Sequence, residues 1–541
     1  MRTGRHSDRS VRRLLIAAVA TVAAVVAPLA LHAQAPVLRP TAPVALPTSA
    51  PIADVHYDVT LDSAGLARRS IGVVMTFRVV GPGPVVLALP AWSPGHYTLL
   101  WFTRRVSHFA ANASGTPLNW RHIDYQTWRI EAPAAAKVSV SFDYRADTVD
   151  RAVAWTHSDF AFFNGTNLFL YPVGRGFEWP ATASVRAPPG WRIATGMTPT
   201  ADSSTFRERS YHDLTDMPFF VGHFAIDSTE VAPGHWMRLA WYPESTAVAN
   251  GRLARNVAWL AKLAPVEIAV FHEIPWRTYT VLYLTDSIVN AGGLEHQDSQ
   301  LDETQTKLVD GIGTPGLYSH ELFHSWNVKR LRPADLVPYR YDDAQPTGWL
   351  WVSEGVTDYY GPLAVERSGI SDSTVFFATM ARGMATVAAA PPVAPADASL
   401  SAWVQPKDGT AGLYYPQGAL IGFALDILIR DATDNRRSLD NVLRQLYETT
   451  YKKGRGFTPK DWWRTVSRVA GRDTAGGIAF ADFNRRYVEG REPLPWSTIL
   501  PLIGLTVTTD SARATHLDPA ADASPKAGRI RTGILHGTTD G

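Results

Sequence analysis

The stretch Thr314-Pro-Gly-Leu-Tyr-Ser-His-Glu-Leu-Phe-His-Ser-Trp-Asn-Val-Lys-Arg-Leu-Arg-Pro333 decides how the rest of the chain is read. Thr314 and Pro315 are a favourable cap and first position, so a helix is expected to begin there and to run through Leu317, Leu322 and Phe323 to the basic stretch ending at Pro333. Four residues make about one turn. His320 and His324 therefore project from one face and can place two imidazole nitrogens on a single Zn²⁺, with Glu321 beside them free to act on water. The bland alternative is two surface histidines flanking a solvated acid.

A catalytic zinc held by two histidines needs a third protein ligand, commonly a carboxylate, and keeps one position open. Glu354 meets that need thirty positions after His324 (354 − 324), within Trp349-Leu-Trp-Val-Ser-Glu-Gly-Val-Thr-Asp-Tyr-Tyr360. This segment reads as a second helix capped by Thr347. Asp358, one turn past Glu354, is placed to accept the other ring N–H of His320 and so fix its tautomer. Trp349, Trp351, Tyr359 and Tyr360 argue against a merely solvated acidic face.

Outward from this centre, 541 residues exceed one compact core and suggest three or so units. With 45% hydrophobic residues there is material for real cores. The 52 Lys+Arg nearly balance the 50 Asp+Glu, which leaves no electrostatic footprint for nucleic acid or an anionic membrane. Five arginines, Arg2, Arg5, Arg9, Arg12 and Arg13, precede an apolar run from Leu14 to Leu31 and the small-residue exit Ala33-Gln34-Ala35. Residues 1–35 are read as a secretory signal, so the protein is expected to be exported, periplasmic or secreted, with no membrane span in the mature chain. With no cysteine, an exported chain must rely on packing and on metal for its stability.

Residues 36–50, rich in Pro and Ala, read as a linker. From 51 to 245 short β-type runs dominate, namely His56–Leu61, Ile71–Phe77, Val138–Tyr144 and Met237–Tyr242, separated by turn clusters such as Gly81-Pro-Gly-Pro84. From 246 to 495 the pattern is mostly helical, with a strand-like run at Thr278–Leu284. One helix is bounded sharply by Thr458, Pro459, Asp461 and Gly471. The end of the chain, 496–541, is polar after the run Ile499–Thr508 and too short for a domain of its own.

The segment from His320 to Pro333, taken with Trp351-Val-Ser-Glu-Gly-Val-Thr-Asp-Tyr-Tyr360, resembles the M61 glycyl aminopeptidase family. Gly292-Gly-Leu-Glu-His296 is similar to that family's strand motif ahead of the zinc helix, and Trp92-Ser-Pro-Gly-His-Tyr97 to a motif in its N-terminal β-domain. The resemblance spans about Ile52 to Trp496. It implies a multidomain α+β protein: an all-β, sandwich-like N-terminal domain over 51–245 and a thermolysin-like, mostly α-helical catalytic domain over 246–495, as in the related M1 aminopeptidases. The family pattern continues into a PDZ-like domain, of which only Ile499–Thr508 resembles the opening. Residues 496–541 are accordingly expected to be a truncated PDZ-like segment or tail.

The resemblance also implies substrate contacts. An edge strand at Gly292 and Gly293 can pair with substrate backbone, and Glu295 can bind the α-ammonium of a peptide. His296 is expected to be structural. Tyr415, in Tyr414-Tyr-Pro-Gln-Gly-Ala419, resembles the Tyr-x-x-Gly-Ala element of M1 aminopeptidases and would donate to the oxyanion, with Tyr414 the alternative if the register is off by one. Lys329, Arg330 and Arg332 form a basic run expected in structural ion pairs, with contact to a substrate carboxylate as the alternative. The expected protein is thus an aminopeptidase with one zinc ion on His320, His324 and Glu354, Glu321 as general base, and peptides as substrates, with Gly or Ala favoured at the N-terminus. Two other readings stay open: a zinc endopeptidase on the same scaffold, and a non-catalytic exported binding protein.

Overall fold

Ile52–Thr60 (β1) and Ser70–Val79 (β2) alternate buried with part-exposed residues, the period-two pattern that lays one face of a strand on a core. They pair antiparallel at the centre of a seven-stranded sheet. Its other strands are Val106–Ala113 (β3), Thr116–Pro117 (β4), Lys137–Arg145 (β5), Ala181–Arg186 (β6) and Thr205–Glu208 (β7), in the spatial order β7-β6-β1-β2-β5-β3-β4. Two four-stranded sheets complete this β-rich region, one containing Phe160–Asn164 and Pro218–Gly222, the other Val85–Ala88 and Thr127–Ile130. Tyr57, Phe77, Trp128, Tyr144 and Phe163 are buried in its core.

The computed structural model describes residues 48–510 and 514–537, which fall within one compact unit, Pro47–Gly541. The expected signal, 1–35, and the linker as far as Pro47 lie outside the described residues. The linker's described end is not loose: the Ser49 N–H donates to the Val173 carbonyl and the Ala50 N–H to that of Pro84, with both residues buried. Among the described residues no helix is long and apolar enough to cross a membrane.

A five-stranded sheet organises the region that follows, with Ala225–Ala232 (β8), His235–Tyr242 (β9), Thr278–Asp286 (β10), Gly292–Glu295 (β11) and Ser299–Gln305 (β12) in the order β8-β9-β10-β12-β11. Strands β9, β10 and β12 run parallel, while β11 lies antiparallel on the edge. Met237–Tyr242, read with the β-type runs of 51–245, pairs as β9 with β8 and β10 into this five-stranded sheet. The reason is a crossover: Arg252–Phe271 (α1) links β9 to its parallel neighbour β10, as parallel pairing requires.

Behind the sheet the helices surround Tyr414–Ala432 (α5), which is buried on nearly every face and mostly apolar, its buried Asp426 and Arg430 pairing with each other at 3.0 Å. Gly313–Phe323 (α2), Thr357–Arg367 (α3), Ser373–Ala389 (α4) and Leu439–Thr449 (α6) are the other main helices here. Pro459–Ala470 (α7) has the bounds its sequence announces: Thr458 and Asp461 form a reciprocal capping box, and Gly471 ends the helix at φ +68°.

The chain beyond 496, expected as a truncated PDZ-like segment or tail, forms a hairpin of Leu505–Thr509 (β13) and Thr515–Pro519 (β14) and then a helix, Pro525–His536 (α8). That helix was not expected. Its signals are present in Ser524, whose side chain accepts from the Ala527 N–H, and Pro525 at the first helical position. Ile530 and Ile534 are buried, and Arg367 on α3 donates to the Ile534 carbonyl at 3.0 Å.

Candidate metal centre and substrate cleft

The zinc-helix candidate α2 is clamped by buried contacts. Tyr279 on β10 donates its hydroxyl to the Glu321 carbonyl at 3.2 Å, and Ser319 donates to Glu267 on α1 at 2.6 Å. The helix ends at Phe323 instead of running to Pro333. The peptides after it fold into tight turns, with Arg330 donating to the Ser325 carbonyl at 2.8 Å. That turn has a purpose at the site: it brings the Asn327 carbonyl 2.6 Å from His324 Nδ1. A carbonyl can only accept, so Nδ1 carries the proton and Nε2 keeps its lone pair. His320 is oriented in the same sense, its Nδ1 lying 2.9 Å from Asp358 Oδ1.

Glu354 arrives on a different element from the one expected. Trp351–Val356 winds as a π-helical turn that runs into α3, a geometry frequent at functional sites. Thr347 does not cap it; its hydroxyl donates to Asp335 Oδ2 at 2.9 Å. Asn327 fastens this turn to the end of α2, its side-chain N–H groups donating to the Val352 carbonyl at 2.9 Å and to Thr357 Oγ1 at 3.1 Å. Tyr97, from the N-terminal region, donates to Glu354 Oε1 at 3.0 Å and leaves Oε2 facing the histidines.

The three donor atoms converge. His320 Nε2 and His324 Nε2 are 3.1 Å apart, and Glu354 Oε2 is 3.3 Å from the latter and 3.8 Å from the former. Ligands about 2.0–2.2 Å from a tetrahedral zinc stand roughly 3.3 Å from one another, so the spacing fits that ion. Electrostatics agree. His324 and Glu354 are 0% and 2% exposed, and two lone pairs with a carboxylate oxygen would repel unless a cation lay between them. Burial works against a charged His320, yet Asp358 and Glu354 raise its pKa well above the ordinary value, so the cluster demands positive charge. His324 also groups with Glu295 and Glu321 within 4.8 Å.

Glu321 is 4% exposed, and burial pushes its carboxyl up. Gly293 on β11 lies directly against its carboxylate, where any side chain would collide. Glu295, two residues along, is 3% exposed, and its Oε1 has no hydrogen-bond partner among the described residues. Burial raises it to about 7, with Lys329 and His324 pulling the other way. The motif Trp92–Tyr97 walls in this end of the site: Gly95, at φ +103°, abuts the Glu295 carboxylate, and a Cβ there would stand 2.6 Å from Cδ.

A cleft of about 730 Å³ opens on the other side, lined by Arg151, Gly292, Gly293, His320, Glu321 and Tyr415 among others. Tyr415 stands with its ring centroid 6.3 Å from that of His320, and burial keeps its phenol protonated. Tyr414 packs behind it, centroids 4.6 Å apart, and is not among the cleft residues. His296 pairs with Asp216 at 3.1 Å, as does Lys329 at 3.0 Å, and Arg330 pairs with Asp298 at 2.7 Å. Arg332 lies over the Tyr339 ring. Sequence reasoning brought together His320, His324, Glu354, Asp358, Glu321, Glu295 and Tyr415, but assigned nothing to Gly95, Tyr97, Arg151 or Asn327. The motif around Gly95 and Tyr97 was visible as a resemblance; its reach into the metal cluster was not.

The chain's sequence matches the family model for the peptidase M61 N-terminal domain over residues 56–223 and that for M61 glycyl aminopeptidase over 314–421. Among solved structures it is similar to an aminopeptidase N family protein from Idiomarina loihiensis, at 26% identity and TM-score 0.76 over 84% of this chain and 79% of that one. An M1 zinc metallopeptidase from Deinococcus radiodurans, solved as a mutant bound to a Tyr-Ser-Ala substrate, aligns at 19% identity and TM-score 0.53 over 82% and 95% of the two chains. Yeast LTA4 hydrolase in complex with bestatin aligns at 13% and 0.54 over 82% and 68%. These last two are likenesses of fold alone. A comparison with curated protein sequences returns no match.

Proposed function

The chain belongs to the M61 peptidase family of zinc metallopeptidases, and on that footing we propose that it removes N-terminal residues, small ones such as glycine and alanine, from peptides. The observation that carries the exopeptidase reading is Glu295: a buried carboxylate with one oxygen unpartnered among the described residues, beside the metal cluster and with Gly95 against it. Such a group gains most from a positively charged donor. The α-ammonium of a peptide is that donor, and the backbone at Gly95 lies against the far side of the carboxylate.

His320, His324 and Glu354 would hold one zinc ion, which when bound supplies Lewis acidity, polarising the scissile carbonyl and easing deprotonation of water. The protein's own groups do the rest. Asp358 and the Asn327 carbonyl keep both imidazoles in the tautomer that presents Nε2. Glu321, raised by burial, takes a proton from the attacking water and returns it to the leaving nitrogen. Tyr415, protonated and facing the cleft, donates to the developing oxyanion. Strand β11, on the sheet edge, offers backbone groups at Gly292 and Gly293 to an extended substrate. The Arg-rich apolar leader supports export of the enzyme.

The test is hydrolysis of aminoacyl p-nitroanilides, Gly and Ala included, before and after chelation and zinc add-back. Zinc-dependent release from free but not N-blocked substrates is expected. Cleavage of blocked or internal peptides would overturn the exopeptidase reading in favour of an endopeptidase. No cleavage by zinc-loaded protein would favour a binding protein.

A further inference from the structure

Arg151 stands in the catalytic cleft with no part in the chemistry above. It comes from the loop after β5, where its carbonyl accepts from Asn164 at 2.8 Å, and its side chain is 29% exposed. The guanidinium lies on Gly292, where a Cβ would stand 3.0 Å from Cζ. The carboxylate beside it, Glu303 Oε2, is 3.8 Å away, beyond hydrogen-bond range. Burial raises Glu303 to about 7 against the pull of Arg151, so this neighbour only partly offsets the guanidinium charge at neutral pH. A half-buried cation whose guanidinium makes no hydrogen bond among the described residues, facing the same cleft as Glu321, is suited to an anion on the substrate.

The edge strand gives the distance. Along β11, Glu295 marks the amine end, Gly293 lies against Glu321, and Gly292 lies against Arg151. Three strand residues cover roughly 10 Å. An extended tripeptide spans about the same length. We propose that Arg151 binds a substrate carboxylate about two residues beyond the scissile bond, selecting tripeptide-sized substrates with a free C-terminus. This rests on the aminopeptidase reading with Glu295 as amine anchor. The α-carboxylate of a tripeptide and an acidic side chain at the same place share the chemistry.

The experiment compares kcat/KM for Gly-Ala-Ala, its C-terminal amide, and Gly-Ala-Glu amide, with Gly p-nitroanilide reporting the state of the centre. A charge-assisted contact of this kind predicts about 10- to 100-fold preference for the free acid over its amide in the wild type. In Arg151→Gln that ratio falls to about one, while Arg151→Lys keeps part of it. Recovery with Gly-Ala-Glu amide shows that a side-chain carboxylate is also read; its absence restricts the site to the α-carboxylate. A wild-type ratio near one for both carboxylate substrates over the plain amide, or a ratio undiminished in Arg151→Gln, overturns the proposal. Failure of the wild type on Gly p-nitroanilide is a separate result: it removes the aminopeptidase reading, and this inference with it.

Discussion

Gly95→Ala is the most informative single substitution, because its added methyl has one place to go. A Cβ at Gly95 would stand 2.6 Å from the Glu295 Cδ and nearer still to Oε2. Ordinary contact begins at 3.4 Å, so the carboxylate must withdraw by at least 0.8 Å (3.4 − 2.6), and by more at Oε2. Backbone strain adds to this, since φ +103° is costly for any residue with a side chain, on the order of 1–3 kcal/mol. A misplacement near 1 Å at a positioning group costs on the order of 100-fold in rate, or about 2.7 kcal/mol of transition-state stabilisation. The assay is kcat/KM on Ala p-nitroanilide for wild type, Gly95→Ala, Glu295→Gln and the double variant, with a thermal melt on each to report folding. If Gly95 acts through Glu295, the double variant is no worse than Glu295→Gln alone. A folded Gly95→Ala enzyme within two-fold of wild type, or losses that multiply in the double variant, would refute the reasoning.

Three further outcomes follow from the same geometry. Asn327→Ala removes the donors to Val352 and Thr357 that join α2 to the π-helical turn; zinc affinity is expected to fall by about 10- to 100-fold in a competition titration with a chelator, and unchanged affinity would show that Asn327 does not position Glu354. Glu321→Gln should retain zinc and lose activity by several orders of magnitude, whereas His320→Ala should lose the metal by elemental analysis; normal turnover in a zinc-replete Glu321→Gln enzyme would remove Glu321 as base. Glu208 is raised to about 7 by burial, with Asp213 and Asp298 adding to it, from an unfolded value near 4.5. Its stabilising contribution is therefore complete below about pH 4.5 and lost as pH rises through about 7, on the order of 2–3 kcal/mol. Denaturation midpoints at pH 5 and pH 8 should differ less for Glu208→Gln than for wild type, and an identical difference would show that this carboxyl does not titrate so.

What the sequence alone determined is the part governed by local rules. Four-residue spacing on a helix puts His320 and His324 on one face, alternation makes β1, β2 and β5 half-buried strands, and Thr458 with Gly471 bounds α7. Each follows from geometry within a turn or a pleat, so a short window carries it. Glu354, Asp358, Glu295 and Tyr415 were legible through motifs, because each stands in a short run that resembles a known family. Helix α8 was legible and overlooked, its capping signal sitting in a polar stretch.

Only the tertiary structure decided the rest. The place of β9 depends on which sheet edge accepts it, a long-range pairing with β10 that its own alternation does not encode. The turn after Phe323 sets the Asn327 carbonyl against His324 Nδ1, and the π-helical turn sets one Glu354 oxygen near two imidazoles, contacts that show only once the chain is folded. Gly95, Tyr97 and Arg151 lie more than 140 residues before the strand and helix they serve. They meet the cleft because the N-terminal region packs over the catalytic sheet, and no spacing within the sequence records a contact made by packing across that distance.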